Sequence, residues 1–220
     1  MASQSGAILA LISAGYLLGS IPLAWIVTRL ATGKELRSLG SGNVGVMNVA
    51  LSVTRWAGLL VFLGEAAKGA LAVLLATRVT QCRLPAGGEG AFCELAIGTT
   101  VLATVAGTRW MVWLRFAGGR GNTAGLAAML LLSWQTLALG FALWGLVRLA
   151  SRSSFWATRV SLLAWPVLFG LLARSWIYLV FGLALSAIYL TTHQLVSDDH
   201  ELIKQRWPSL WAFLTGPKRR

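Results

Sequence analysis

Gly6–Leu30 is mainly apolar, with Arg29 its one charged residue, and four further mainly apolar stretches follow: Arg55–Thr77, Ala91–Leu114, Phe155–Ala173 and Trp176–Thr192. A helix needs roughly 20 mainly apolar residues to cross a bilayer core, and these runs come close to that length. Only 12% of the residues are charged, about half the roughly 25% of a soluble domain. So little polar surface cannot wrap a water-soluble globule, which excludes an ordinary cytosolic enzyme, a disordered chain and a coiled coil. The expected fold is an all-α integral membrane protein forming a single transmembrane domain over residues 1–220, with a polar C-terminal tail from about residue 193. Gly6–Leu30 lacks a basic leader and a small-x-small cleavage site, so it reads as a retained helix.

Residues 122–149 allow one long helix or two short ones broken at Ser133-Trp134-Gln135. Charge decides between them. With two short helices the chain has seven transmembrane segments. An outside N-terminus then puts 14 of the 19 Lys and Arg inside and 3 outside, with Lys68 and Arg109 within spans. With one helix everything after it changes sides, and the bias disappears. Lys and Arg collect in cytoplasmic loops, so seven segments, N-out and C-in, are predicted. Trp25, Trp56, Trp110, Trp113, Trp156 and Trp176 lie near the ends of the predicted spans, as an aromatic belt at headgroup depth requires.

The net charge of +12 follows from the same topology. No folded polar region offers a basic face to nucleic acid, so none is expected as a partner. Membrane lipids are, with anionic headgroups or phosphorylated substrates as further ligands of the basic loops.

The 24 glycines cluster. One cluster spans Gly33 to Asn48, with Arg37, Ser41, Gly42, Asn43 and Gly45 inside it. The other runs from Arg115 through Gly118, Gly119, Arg120 and Gly121 to Asn122. Glycines let successive backbone N–H groups converge on an oxyanion, and each loop enters a helix whose N-terminus favours an anion. Either loop alone is equally well a turn with a lipid-anchoring arginine. Both on one predicted face point to a phosphate site. Gly19-Ser20-Ile21-Pro22 predicts a proline kink in the first span. Glu65 and Lys68 stand at i, i+3 within a span and share a helix face, either as a functional pair or as a neutralised packing pair. His193 ends the last span, where a histidine serves as general base or phosphate ligand. Cys82 and Cys93 flank a loop placed outside, and a disulfide between them is predicted. No metal site and no cofactor is expected.

Gly19-Ser-Ile-Pro22, Ser41-Gly-Asn-Val-Gly45 through Asn48, and Phe116-x-Gly-Gly-Arg-Gly121, in that order, resemble the acyl-phosphate:glycerol-3-phosphate acyltransferases of the PlsY type. Glu65-Ala-Ala-Lys68-Gly69 resembles the family's Asp-x-x-Lys-Gly, and Arg152 and Pro166 keep the spacing of a later signature. The resemblance implies a seven-helix protein of the bacterial inner membrane. It implies transfer of an acyl group from acyl-phosphate to the 1-hydroxyl of glycerol 3-phosphate, giving lysophosphatidic acid without a metal. Carried over by position, Arg37, Gly42, Asn43, Gly45 and Asn48 belong to the first phosphate loop, and Gly118, Gly119, Arg120 and Gly121 to the second. Ser41 and His193 take catalytic positions.

The chain departs from the family pattern at several polar positions. Gly107-Thr108 replaces a Gly-His, Ala117 a lysine, Leu51 an arginine, Phe155 a serine and Val196 an asparagine. Two expectations follow: a phospholipid-biosynthetic acyltransferase with eroded motifs, or a non-catalytic subunit of a respiratory or photosynthetic membrane complex that keeps the acyltransferase fold.

Overall fold

The computed structural model describes residues 2–84, 90–192 and 212. His193 and nearly all of the tail lie outside the described residues. The described chain is helical, with no strand: α1 (Ala2–Ser20), α2 (Leu23–Thr32), α3 (Val46–Ser52), α4 (Arg55–Thr80), α5 (Ala91–Arg109), α6 (Asn122–Leu132), α7 (Trp134–Ser151), α8 (Ser154–Leu172) and α9 (Trp176–Thr192). Among the described residues, four units are long and apolar enough to cross a membrane: Gln4–Thr32, Arg55–Thr80, Ala91–Leu114 and Ser154–Leu172.

The first span is two helices end to end. Pro22 has no N–H to donate, and the ladder stops at Ile21 and resumes at Leu23. Residues 122–149 are likewise two helices. Ser133 ends α6 and caps α7, its Oγ accepting from Thr136 N at 3.3 Å. A Ser at that position satisfies one of the orphan donors of a new helix, so the break is written into the chain. α6 packs chiefly on α4, and α7 on α8. Trp56, Trp113, Trp156 and Trp176 project from the surface as a belt requires, but Trp25 turns inward and donates from its indole to Glu35.

α1 lies directly along α5. A Cβ on Gly15 would sit 2.6 Å from the Thr100 carbonyl oxygen, and one on Gly19 would run into the Thr104 carbonyl. Small residues at such spacing let membrane helices approach backbone to backbone. Thr108 Oγ1 then reaches the Gly19 carbonyl at 3.3 Å. The main apolar cluster joins α1, α4, α5, α6, α8 and α9 around Ile97, Val101, Phe169 and Tyr178. A second cluster, with Leu36, Val44, Val49, Val61, Met111 and Leu114, seats both glycine-rich loops on the helix ends.

Cys82 and Cys93 are joined by a disulfide, with Cα atoms 5.8 Å apart. It ties the end of α4 to the first turn of α5.

Candidate active site

The first loop is held by one side chain. Asn48 is fully buried in α3. Its Oδ1 accepts from Ser41 N at 3.2 Å and from Ser52 Oγ at 3.0 Å. Its Nδ2 donates to the carbonyls of Leu39 at 3.0 Å and Asn43 at 2.9 Å, with a longer contact to Leu36 at 3.5 Å. The whole carboxamide is used inside the loop, so Asn48 shapes the site and has nothing left for a phosphate. Leu36 anchors the same loop from its apolar side, completely buried.

Arg37 also differs from its expected role. Its Nε donates to Glu35 Oε1 at 3.0 Å, and both side chains are exposed. The Trp25 indole N–H, at 2.8 Å, and Arg37 together hold the Glu35 carboxyl below its ordinary value of 4.5. The ion pair therefore brackets the loop at the surface.

The second loop is pinned to the end of α5. Gly118 N donates to the Arg109 carbonyl at 3.1 Å and Gly119 N to the Thr108 carbonyl at 3.0 Å. Gly119 packs so tightly on the Val44 carbonyl that a Cβ there would collide with it. That contact brings the two loops together. Gly121, at φ 74°, turns the chain into α6.

Between the loops lies a cavity of about 290 Å³. Asn43, Val44, Gly45, Val46 and Met47 line it from the first loop and α3, and Arg120, Gly121, Asn122 and Thr123 from the second loop and α6. Phe62 and Glu65 of α4 and Thr108 of α5 complete the wall. Four of the sequence-derived phosphate residues thus face one volume: Asn43, Gly45, Arg120 and Gly121. Gly42, Asn48, Gly118 and Gly119 build the loops behind them. Ser41 does not line the cavity, and its Oγ is buried with no hydrogen-bond partner among the described residues.

The cavity suits an anion on one side. Arg120 supplies a cation, and Asn122 and Thr123 of the first turn of α6 line the cavity, where a helix N-terminus favours an anion. The lining also includes Glu65 of α4, whose Oε1 accepts from Lys68 Nζ at 2.7 Å. Lys68 also donates to the carbonyls of Gly19 at 3.2 Å and Ile21 at 2.6 Å. Those carbonyls lie at the helix break before Pro22. The sequence marks the Glu65–Lys68 pair but not that Glu65 lines the cavity, nor that Thr108 and Phe62 do. Phe62 and Glu65, three apart on α4, share the pair's helix face, and Thr108 follows Gly107 where the family pattern has a histidine.

A family model described as glycerol-3-phosphate acyltransferase matches residues 9–197. The glycerol-3-phosphate acyltransferase of Desulforamulus reducens is 30% identical over 194 residues, covering 88% of this chain and 90% of the relative. That of Anaeromyxobacter sp. (strain Fw109-5) is 38% identical over 192 residues, covering 84% and 89%. The crystal structure of PlsY, an integral membrane glycerol 3-phosphate acyltransferase, in its glycerol 3-phosphate form superposes with a TM-score of 0.67 at 25% identity, covering 97% of this chain and 94% of that one. A match over most of the length, to sequence and fold alike, means that the chain belongs to the glycerol-3-phosphate acyltransferase family.

Proposed function

We infer that the protein is a membrane glycerol-3-phosphate acyltransferase, moving an acyl group from acyl-phosphate to the 1-hydroxyl of glycerol 3-phosphate to give lysophosphatidic acid. The observation that carries this reading is the convergence of both glycine-rich loops on one cavity, with Arg120 and the α6 N-terminus at its wall. Two anionic substrates meet where fixed donors offset their charge. Holding the hydroxyl against the acyl carbon in a partly enclosed site removes much of the entropic barrier, and preorganised donors stabilise the charge that develops on the departing phosphate. The accessory-subunit reading finds no support in the relatives, which carry the enzyme's name.

The reading carries seven transmembrane segments in a single domain, N-out and C-in, in a bacterial inner membrane. The break at Ser133 supports the count, and the Lys and Arg bias supports the orientation. A reporter fused after Arg220 should then be active only in its cytoplasmic form. His193, outside the described residues, and Ser41, which does not itself line the cavity, keep the catalytic positions that the family resemblance assigns to them.

Purified protein given acyl-phosphate and glycerol 3-phosphate should form lysophosphatidic acid and release phosphate. Arg120→Ala should weaken binding of glycerol 3-phosphate and of inorganic phosphate. Arg148→Ala should not, since Arg148 donates to Ser154 Oγ at 3.1 Å, away from the cavity. No turnover by well-folded protein, or equal loss in both variants, would overturn the assignment.

A further inference from the structure

Only two charged side chains line the cavity among the described residues, Arg120 and Glu65. Arg120 suits phosphate. Glu65 does not, because a carboxylate repels it. The carboxylate is nevertheless built in with care: its side chain is 7% exposed, and Lys68 is its one hydrogen-bond partner among the described residues. Lys68 has three N–H groups to give, and Glu65, the Gly19 carbonyl and the Ile21 carbonyl take them. Nothing of Lys68 is left for a ligand. It supplies a countercharge and fixes the carboxylate through Oε1, and Glu65 is the residue of the pair that lines the cavity. An ionised carboxylate only accepts hydrogen bonds. The part of an acyl acceptor that donates is its hydroxyls.

We propose that Glu65 is the specificity residue for the hydroxyl end of the acyl acceptor. It accepts a hydrogen bond from a glycerol hydroxyl while the acceptor's phosphate lies toward Arg120 and the α6 N-terminus. The opposite charges of Arg120, in the second loop, and Glu65, on α4, give a phosphate-and-polyol ligand one orientation. The proposal rests on the acyltransferase reading above, and it adds the residue that distinguishes glycerol 3-phosphate from bare phosphate.

The test is Glu65→Gln in purified, detergent-solubilised protein. Glutamine keeps an oxygen for Lys68 and replaces an acceptor with a donor. Losing a hydrogen bond to a charged acceptor corresponds to roughly a 10- to 100-fold loss. That loss is expected in kcat/KM for glycerol 3-phosphate, with the KM for acyl-phosphate and the inhibition constant for inorganic phosphate within about twofold of wild type. An unchanged KM for glycerol 3-phosphate, or a parallel weakening of inorganic phosphate, would overturn the proposal and make Glu65 a packing residue. Should Glu65→Gln fail to fold, Glu65→Asp keeps the charge and should show the same selective pattern at smaller amplitude. Parallel losses there would also overturn it. Wild-type turnover reports separately on the acyltransferase reading, and the difference between glycerol 3-phosphate and phosphate binding can be read by calorimetry without turnover.

Discussion

Lys68 Nζ lies 2.6 Å from the carbonyl oxygen of Ile21, 47 residues away in the chain. The lysine of α4 therefore fills the gap that Pro22 opens in the first span. A membrane helix cannot leave carbonyls bare in an apolar surround, and a buried ammonium needs acceptors. Each defect answers the other, and Glu65 completes the charge balance.

Lys68→Met should be severely destabilising. It strands the Glu65 carboxylate and leaves the Gly19 carbonyl with Thr108 Oγ1 and the Ile21 carbonyl with Leu23 N, and breaking one partner of a buried pair costs about 3–5 kcal/mol. Thermal or denaturant unfolding in detergent reads the effect. The Glu65→Leu/Lys68→Met double variant should recover part of the loss, since it leaves no buried charge. A double variant worse than the single would contradict the pairing.

Asn48→Ala should loosen the first loop. The change takes away the partner of Ser41 N, Ser52 Oγ and the Asn43 carbonyl, while the Leu39 carbonyl keeps its bond from Gly42 N. At about 1–3 kcal/mol for each group left buried without a partner, a net loss of about 2–4 kcal/mol is expected, with weaker phosphate binding. Asn48→Asp should fail similarly, because it keeps the acceptor and removes the donors. Calorimetric phosphate titration alongside melting curves separates the two effects.

Gly119→Ala should abolish turnover while leaving the helical fold in place. The new methyl meets the backbone of Val44, which cannot rotate away, so the two loops must part. Gly145→Ala is the control. It sits in the interior of α7 with open space around it, and should be neutral or stabilising by up to about 1 kcal/mol. Circular dichroism and turnover on the same samples distinguish the pair.

Removing the Cys82–Cys93 disulfide should lower stability without changing KM. Its partners are 11 residues apart, and so short a loop limits the gain from closure to about 3 kcal/mol. Alkylation before and after reduction should label both thiols only in the reduced protein, and the reduced protein should melt lower.

The membrane class, the helix break at Ser133 and the two glycine-rich loops were all legible in the chain. Apolar run length, capping residues and glycine clustering are local properties that neighbouring residues settle among themselves. What a loop side chain faces is not local. Asn43 and Asn48 lie five apart in one motif, yet one lines the cavity and the other is spent holding the loop, because α3 turns Asn48 into the core. Arg37 and Arg120 looked equivalent as loop cations. In the structure Arg37 pairs with Glu35 at the surface, while the second loop, with Gly119 against the Val44 carbonyl, puts Arg120 in the cavity lining. The i, i+3 spacing made Glu65 and Lys68 a pair by itself. That Lys68 reaches the carbonyls at the proline break and Glu65 lines the cavity was decided by the packing of α4 on α1 and α6, where contacts between distant residues set the direction of each polar group.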